Sequence, residues 1–367
     1  MSHASPNNKY GVCVVGVGAR TPLGLNGPST AAAVRGAISA IREHPFMIDK
    51  VGEVMSVAID LMLPPEMTNS DRMYQFACAA MEEALRPLIQ FRIEGVSLPI
   101  IMGLPEERPG YSTAIGDKLI RQLTISENGP FKFTRVMALH EGHAAGLMAI
   151  EKAAELIKGG QTTWCLAGGV DSYMNPDTLE WLDDGGQLMS SENRSGFPPG
   201  EGAGFLLLAS TAAAEKWKLP VLAWIIATST AHEEKRIKTE TICIGEGLTA
   251  AIQGVITKLN LPDEKINTAY CDMNGERYRN EEFTFTLLRT QLAFVDAIDN
   301  ITPADCWGDV GAASGPLFAN LAIASGLRGY ARGPRPLLWA SSECGKRSAA
   351  LLHLAMHHQP GVQWASR

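Results

Sequence analysis

At 367 residues the chain is more than twice as long as one ordinary domain of about 150, so two domains or one large double core is expected. Its 32 Lys and Arg stand against 39 Asp and Glu, and the net charge of −7 excludes a basic nucleic-acid binder. Hydrophobic residues at 46%, with 36 glycines and 21 prolines, exclude a disordered or coiled-coil chain. The longest apolar run, residues 221–227, is strand-sized against the roughly 20 residues a bilayer requires, so no membrane partner is expected. The first ten residues, MSHASPNNKY, lack the charged-then-apolar pattern of a signal peptide. Cysteines at 13, 78, 165, 243, 271, 306 and 344 are odd in number and never form a CxxC. They support neither a disulfide framework nor a structural zinc site, and a reducing, cytoplasmic setting is expected, with no metal and no cofactor.

Residues 11–19 (GVCVVGVGA) are a β-branched run ending in glycines, which predicts a buried strand and turn. A helix is predicted near 28–39 and a long one over 69–88, with Ser70 and Asp71 as cap candidates and Met73, Phe76, Ala77 and Ala80 at helical spacing. Residues 98–103 read as a strand, 111–123 as a helix and 131–138 as a strand. The run 144–158 (AAGLMAIEKAAELIK) predicts a helix stopped by Gly159 and Gly160. Strands at 162–167 and 204–209 complete the first half. The second half repeats the style, with strands at 221–227 and 267–271, helices at 247–259 and 281–292, a small-residue helix at 309–327, and closing strands at 336–341 and 349–354. Two successive α/β halves suggest a duplicated α/β domain, with the boundary at 211–219.

Gly16-Val17-Gly18 after a strand invites a dinucleotide-binding reading. The third glycine is absent, Thr21-Pro22 stands where the phosphate-facing helix should open, and no acidic residue ends a second strand about 20 residues on. A nicotinamide cofactor is therefore set aside.

Four segments in register carry a more specific signal: GVGARTPLG at 16–24, the 144–160 helix followed by LAGGVD at 166–171, NRSGFPPGEGAG at 193–204, and GDVGAASG at 308–315. Together they resemble the β-ketoacyl-ACP synthase (ketosynthase) branch of the thiolase-like superfamily, over roughly residues 10–355. The resemblance implies an α/β, thiolase-like, duplicated five-layered αβαβα fold. Residues 1–210 and 220–367 would be its two halves in one compact double domain, with dimer pairing through the strand at 131–138.

The same resemblance assigns the functional positions. The nucleophilic cysteine at a helix N-terminus, where the dipole favours thiolate, falls on His143. The first catalytic histidine falls on Asn274, the second on Asp309, the lysine on Ala304, and the gating phenylalanine on Cys344. Decarboxylative condensation needs a thiolate and two donors for the enolate oxyanion. An ionised Asp309 about 4 Å from that oxyanion, at an effective dielectric of about 20, would oppose it by about 4 kcal/mol, roughly a thousandfold in rate. The catalytic positions thus read as degenerate.

Each replacement also has a plain structural reading. Asp309 suits a helix N-cap, Asn274-Gly275 a turn, His143 a hydrogen-bonded buried histidine, and Cys344 a small buried hydrophobe. Arg194 and Glu201 suit fold-forming ion partners. The sharper alternative is a relocated acyl-transfer centre, Cys344 with His143 as base and Asn274 or Asp309 as orienter. A metal held by His140, Glu141, His143 and Asp309 is not expected, because the two histidines flank a strand-to-helix turn.

Three functions follow. The first is a non-catalytic binding protein: the chain resembles stand-alone thiolase-like proteins associated with bacterial type VI secretion clusters, which implies an effector-loading adaptor with a secreted effector or secretion-spike component as partner. The second is a chain-length-factor-like subunit paired with an active ketosynthase, as a homodimer or heterodimer, with acyl carrier protein as a further partner. The third is an acyltransferase using the Cys344/His143 pocket.

Overall fold

The computed structural model describes residues 10–125, 131–237, 239 and 241–356. Its first strand, β1 (Val12–Arg20), alternates between two interiors. Val12, Val14, Val17 and Ala19 face a central core, while Cys13 and Val15 face an outer one, with a register shift between Val14 and Gly16 keeping both faces apolar. Helix α1 (Gly27–Arg35) opens on an Asn26 capping box. A hairpin of β2 (Ile41–Ile48) and β3 (Val54–Ala58) forms a separate two-stranded sheet. Helix α2 (Asn69–Gln90) buries Met73, Phe76, Ala77, Ala80 and Ala84 at helical spacing. Its cap is Thr68, whose Oγ1 accepts from Asp71 N, so the Ser70 and Asp71 expectation is corrected by two or three positions. Gly16 and Gly18 lie against the Ala84 and Ala80 carbonyls of this helix, where a Cβ would collide with backbone. The glycines that mimic a phosphate loop instead admit a helix at close range.

The remaining elements are β4 (Ser97–Gly103), α3 (Thr113–Ile125), β5 (Lys132–Leu139), α4 (Ala145–Lys158), β6 (Trp164–Ser172), α5 (Pro176–Asp184), β7 (Glu201–Ser210), α6 (Thr211–Trp217), β8 (Ala223–His232), α7 (Glu246–Ile256), β9 (Thr268–Cys271), α8 (Arg277–Thr290), β10 (Asn300–Ile301), α9 (Ala304–Trp307), α10 (Ser314–Leu327), β11 (Pro336–Ser341) and β12 (Lys346–Leu354). The segment expected as a boundary at 211–219 is largely the short helix α6. It is capped by Ser210, whose hydroxyl accepts from Ala213 N. The hairpin β2–β3 and helix α5 had no counterpart in the expected elements.

Sheet order explains how these elements assemble. The first half runs β5-β4-β6-β7-β1 and the second β10-β9-β11-β12-β8. In each half the first three strands pair in parallel and the last two antiparallel. The halves meet through two residue pairs, Cys13 with Trp224 and Val14 with Ala223. Helices α4 and α10 lie between the two sheets, and every residue of α10 is buried. Helices α2 and α3 cover the outside of the first sheet, α7 and α8 the outside of the second. The result is the five-layered αβαβα arrangement expected from the motifs.

Candidate functional site

The site sits where the ends of β9 and β11 and the start of the central helices meet. His143 lies in a single 3-10 turn, Gly142–Ala144, leading into α4, and is buried. Ser342, just past β11, fixes that turn: its Oγ accepts from Ala144 N at 2.8 Å and donates to the Glu141 carbonyl. Asp309 follows α9 and precedes the 3-10 turn Gly311–Ala313 that leads into α10. Gly311 is at φ 48° with its α-carbon against the Asp171 carboxylate, a place that admits no Cβ.

These segments converge on one buried hydrogen-bonded cluster. His143 Nε2 lies 2.9 Å from both carboxylate oxygens of Asp309. Asn274 Nδ2 donates to Asp309 Oδ2 at 2.6 Å and to Glu276 Oε2 at 3.1 Å. Gly311 N donates to Asp309 Oδ1 at 2.8 Å. Arg279, from α8, donates to Glu276 Oε2 at 3.1 Å, to Asp272 Oδ2 at 2.9 Å and to the Ser341 carbonyl at 2.8 Å. Its Nη2 stands 3.4 Å from His143 Nε2. The structural and functional readings therefore merge at Asn274. Asp309 is not a helix N-cap, the 3-10 turn beginning after Val310, but it accepts from Gly311 N and holds His143; Asn274 forms its turn, accepting from Glu276 N at 3.1 Å, and also binds Asp309.

Charge follows from this packing. Burial, the largest single effect, and Arg279 work against a charged His143, but the attraction and hydrogen bond of Asp309 together with Asp272 raise the imidazole above its ordinary range. Burial, again the largest single effect, works against ionised Asp309, and His143, Arg279 and the Gly311 amide together outweigh it, holding the carboxyl well below the usual range. Below the raised range of His143 the pair is an imidazolium–carboxylate ion pair inside the protein. Beside it, a space of about 10 Å³ is lined by Asp272, Asn274, Ala304 and Asp309, room for about one water molecule. Ala304, the position assigned to lysine, is the first residue of α9 and brings only a methyl group there.

Of the residues singled out from the sequence, His143, Asn274 and Asp309 are brought into contact. Cys344 is not placed with them. Its Sγ approaches Glu141 Oε2 at 3.5 Å and the Glu141 carbonyl at 3.9 Å, and burial followed by Glu106 pushes the thiol up to about 12. The arrangement does not favour the relocated Cys344–His143 centre: the His143 nitrogen facing the cluster is taken by Asp309, and the carboxylates around the thiol disfavour thiolate. His140 is held apart from His143, its Nδ1 3.1 Å from the Tyr111 hydroxyl. Arg194 is exposed, so it is not the partner expected for Glu201. That partner is Arg72, which meets both Glu201 oxygens at 2.8 Å and 2.5 Å with both side chains fully buried. Sequence reasoning did not reach Arg279, Glu276 and Asp272. The available signal was the alternation Asp272-Asn274-Glu276 after a strand, closed by Arg279 on the next helix.

Comparison with known proteins agrees with this architecture. Residues 135–214 match the Beta-ketoacyl synthase, N-terminal domain family. A 79-residue stretch is 33% identical to a 6-methylsalicylic acid synthase of Aspergillus niger, covering 20% of this chain and 4% of that enzyme. Among solved structures, a type II polyketide ketosynthase in complex with its acyl-carrier protein superposes with a TM-score of 0.76 at 15% identity, covering 94% of this chain and 99% of the other. The complex of ketosynthase ApeO with its chain length factor ApeC from Xenorhabdus doucetiae gives a TM-score of 0.70 at 14% identity, covering 97% and 100%. No helix among the described residues is long and apolar enough to cross a membrane. The chain has the thiolase-like fold of the ketosynthases and their chain length factors.

Proposed function

We propose that this protein works by binding, as the non-condensing, chain-length-factor-like member of a ketosynthase-like pair. The observation that supports it most is the engagement of Asp309. Its carboxylate accepts from His143, Asn274 and Gly311, so the residue at the nucleophile position and the donor at the first histidine position are already committed, and an acceptor stands at the second. The positions assigned to the nucleophile and to both histidines are thereby one internal ion-pair cluster. In this reading residues 1–210 and 220–367 act as one double domain, and partner contact runs through the edge strand β5. The similarity to a ketosynthase complexed with its chain length factor is in keeping with it.

The test is acyl loading combined with partner capture. Intact-mass spectrometry of the protein incubated with acyl thioesters should show no covalent adduct. A tagged copy expressed in its native cells should retain a ketosynthase-like chain at one-to-one stoichiometry. Turnover of acyl thioesters that is lost in His143→Ala or Cys344→Ala overturns the reading. The narrower reading, an adaptor for type VI secretion effectors, rests on resemblance, and capture of a secreted effector in place of a ketosynthase would select it.

A further inference from the structure

Away from the site, β8 ends at His232 and α7 begins at Glu246, and residues 243–245 before α7 contact Glu282, Thr286 and Arg289 of α8. Glu233, Cys243 and Glu282 meet there, one donor atom from each lying within 4.8 Å of the other two. Glu233 and Glu282 are 1% and 0% exposed, and Cys243 is half-buried at the rim. Sequence spacing concealed the group, since the residues are 10 and 39 positions apart and form no CxxC.

The two carboxylates are not equally satisfied. Glu233 accepts from Gly247 N at 2.8 Å and from Lys235 N at 3.1 Å, capping the start of α7. Glu282 receives Arg347 Nε at 2.6 Å and the Cys243 thiol at 3.8 Å, both on Oε1. Its Oε2 is buried with no hydrogen-bond partner. A buried carboxylate oxygen left without a donor is costly, and a cation is one of the few things that accounts for it. The composition points the same way: among the described residues two buried carboxyl groups and a thiol gather beside one guanidinium, that of Arg347.

We infer that Glu233, Cys243 and Glu282 form a binding site for a divalent zinc-class cation. One sulfur and two carboxylate donors suit zinc rather than calcium or magnesium, which take oxygen alone. Donors around zinc stand about 3.5 Å apart, so the present spacing closes onto an ion with a small side-chain adjustment. Binding replaces the S–H bond by a sulfur–metal bond and releases that proton to solvent. The ion would pin Glu233 and Cys243 to α8, one turn from Arg279 on the same helix. Glu282 also holds Arg347, which donates to the Ser342 carbonyl at 2.6 Å, so the site connects to the turn bearing His143.

The full chain, stripped with a chelator, is titrated with Zn²⁺ against a chromogenic chelator and with Co²⁺ by absorption. One equivalent should bind, Co²⁺ should give a thiolate charge-transfer band, and Zn²⁺ should protect Cys243 from iodoacetamide in peptide mass spectrometry. Cys243→Ser should abolish the band and weaken Zn²⁺ binding about a hundredfold, and Glu282→Gln about tenfold or more. Cys344→Ser should change neither. Absence of stoichiometric binding, an unprotected Cys243 in the wild-type chain, or a band that survives Cys243→Ser overturns the inference. The protection measurement needs no variant and therefore stands even where a substitution disturbs folding.

Discussion

Two buried ion pairs tie an outer helix to an antiparallel strand, one in each half, and they are built with opposite polarity. In the first half Arg72 of α2 meets Glu201 of β7. In the second, Glu282 of α8 meets Arg347 of β12. The first pair is complete: Glu201 Oε1 accepts from Arg72 and Asp60 N, and Oε2 from Arg72 and the Ser172 hydroxyl at 3.0 Å. The second leaves Glu282 Oε2 without a partner, and Arg347 reaches toward the His143 turn. A buried pair whose every oxygen is answered holds the fold together, whereas one with an oxygen left over has room for a ligand. The same scaffold thus carries a closed structural lock in one half and the chemically open groups in the other.

Breaking the complete pair should have the largest effect. Arg72→Ala leaves Glu201 charged and buried, and chemical denaturation should show a loss of about 3–5 kcal/mol. Glu282→Gln should cost clearly less in metal-free protein, since it removes a carboxylate that is only half satisfied. Equal losses would erase the distinction between the halves.

The His143–Asp309 pair should come next, with a pH signature. His143 is raised in the folded protein, so its contribution is fully present below its unfolded value of about 6.5 and is lost as pH rises through the folded value. Asp309 is lowered, so its contribution is present above about 4 and is lost as pH falls through the folded value. Stability from this pair should therefore be greatest between about pH 4 and 6.5, measured as melting temperature across pH. Asp309→Asn should remove the decline on the alkaline side, at a cost of about 1–3 kcal/mol for the lost hydrogen-bonded charge. An unchanged alkaline limb in that variant would show that the two groups are not paired.

Two smaller effects sharpen the contrast. Thr68→Ala removes the α2 cap and should cost about 1 kcal/mol, a purely local loss in the structural half. Cys344→Ser should change stability by less than about 1 kcal/mol. With its thiol at about 12 against 9.0 for an unperturbed one, thiolate is about a thousandfold scarcer, so Cys344 should alkylate slowly at neutral pH. Rapid modification of Cys344 would return the thiol to consideration as a nucleophile.

The elements that sequence pattern reveals are those with a strong internal period. Helix α2 shows apolar residues every three or four positions, α4 ends on Gly159, and β1 alternates between two cores. The hairpin strand Ile41–Ile48 lacks such a pattern: it carries Pro45 and buries only His44. Helix α5 is nine residues long; its Asn175-Pro176 entry is a legible start signal, but too short a run follows to establish a period. Residues 211–219 show small residues giving way to charge; they largely form α6, between the last strand of the first half and β8.

By itself the sequence determined the α/β class, the order of the four motifs, and the identity of the residues at positions 143, 274, 304, 309 and 344, because these are properties of neighbouring residues. Tertiary structure alone decided that His143, Asn274 and Asp309 share one cluster while Cys344 turns toward Glu141. It also chose Arg72, 129 positions away, as the partner of Glu201, and left one oxygen of Glu282 unanswered. Periodicity reports which face a side chain takes. Whether a buried polar atom finds a partner depends on segments brought together only when the layers pack.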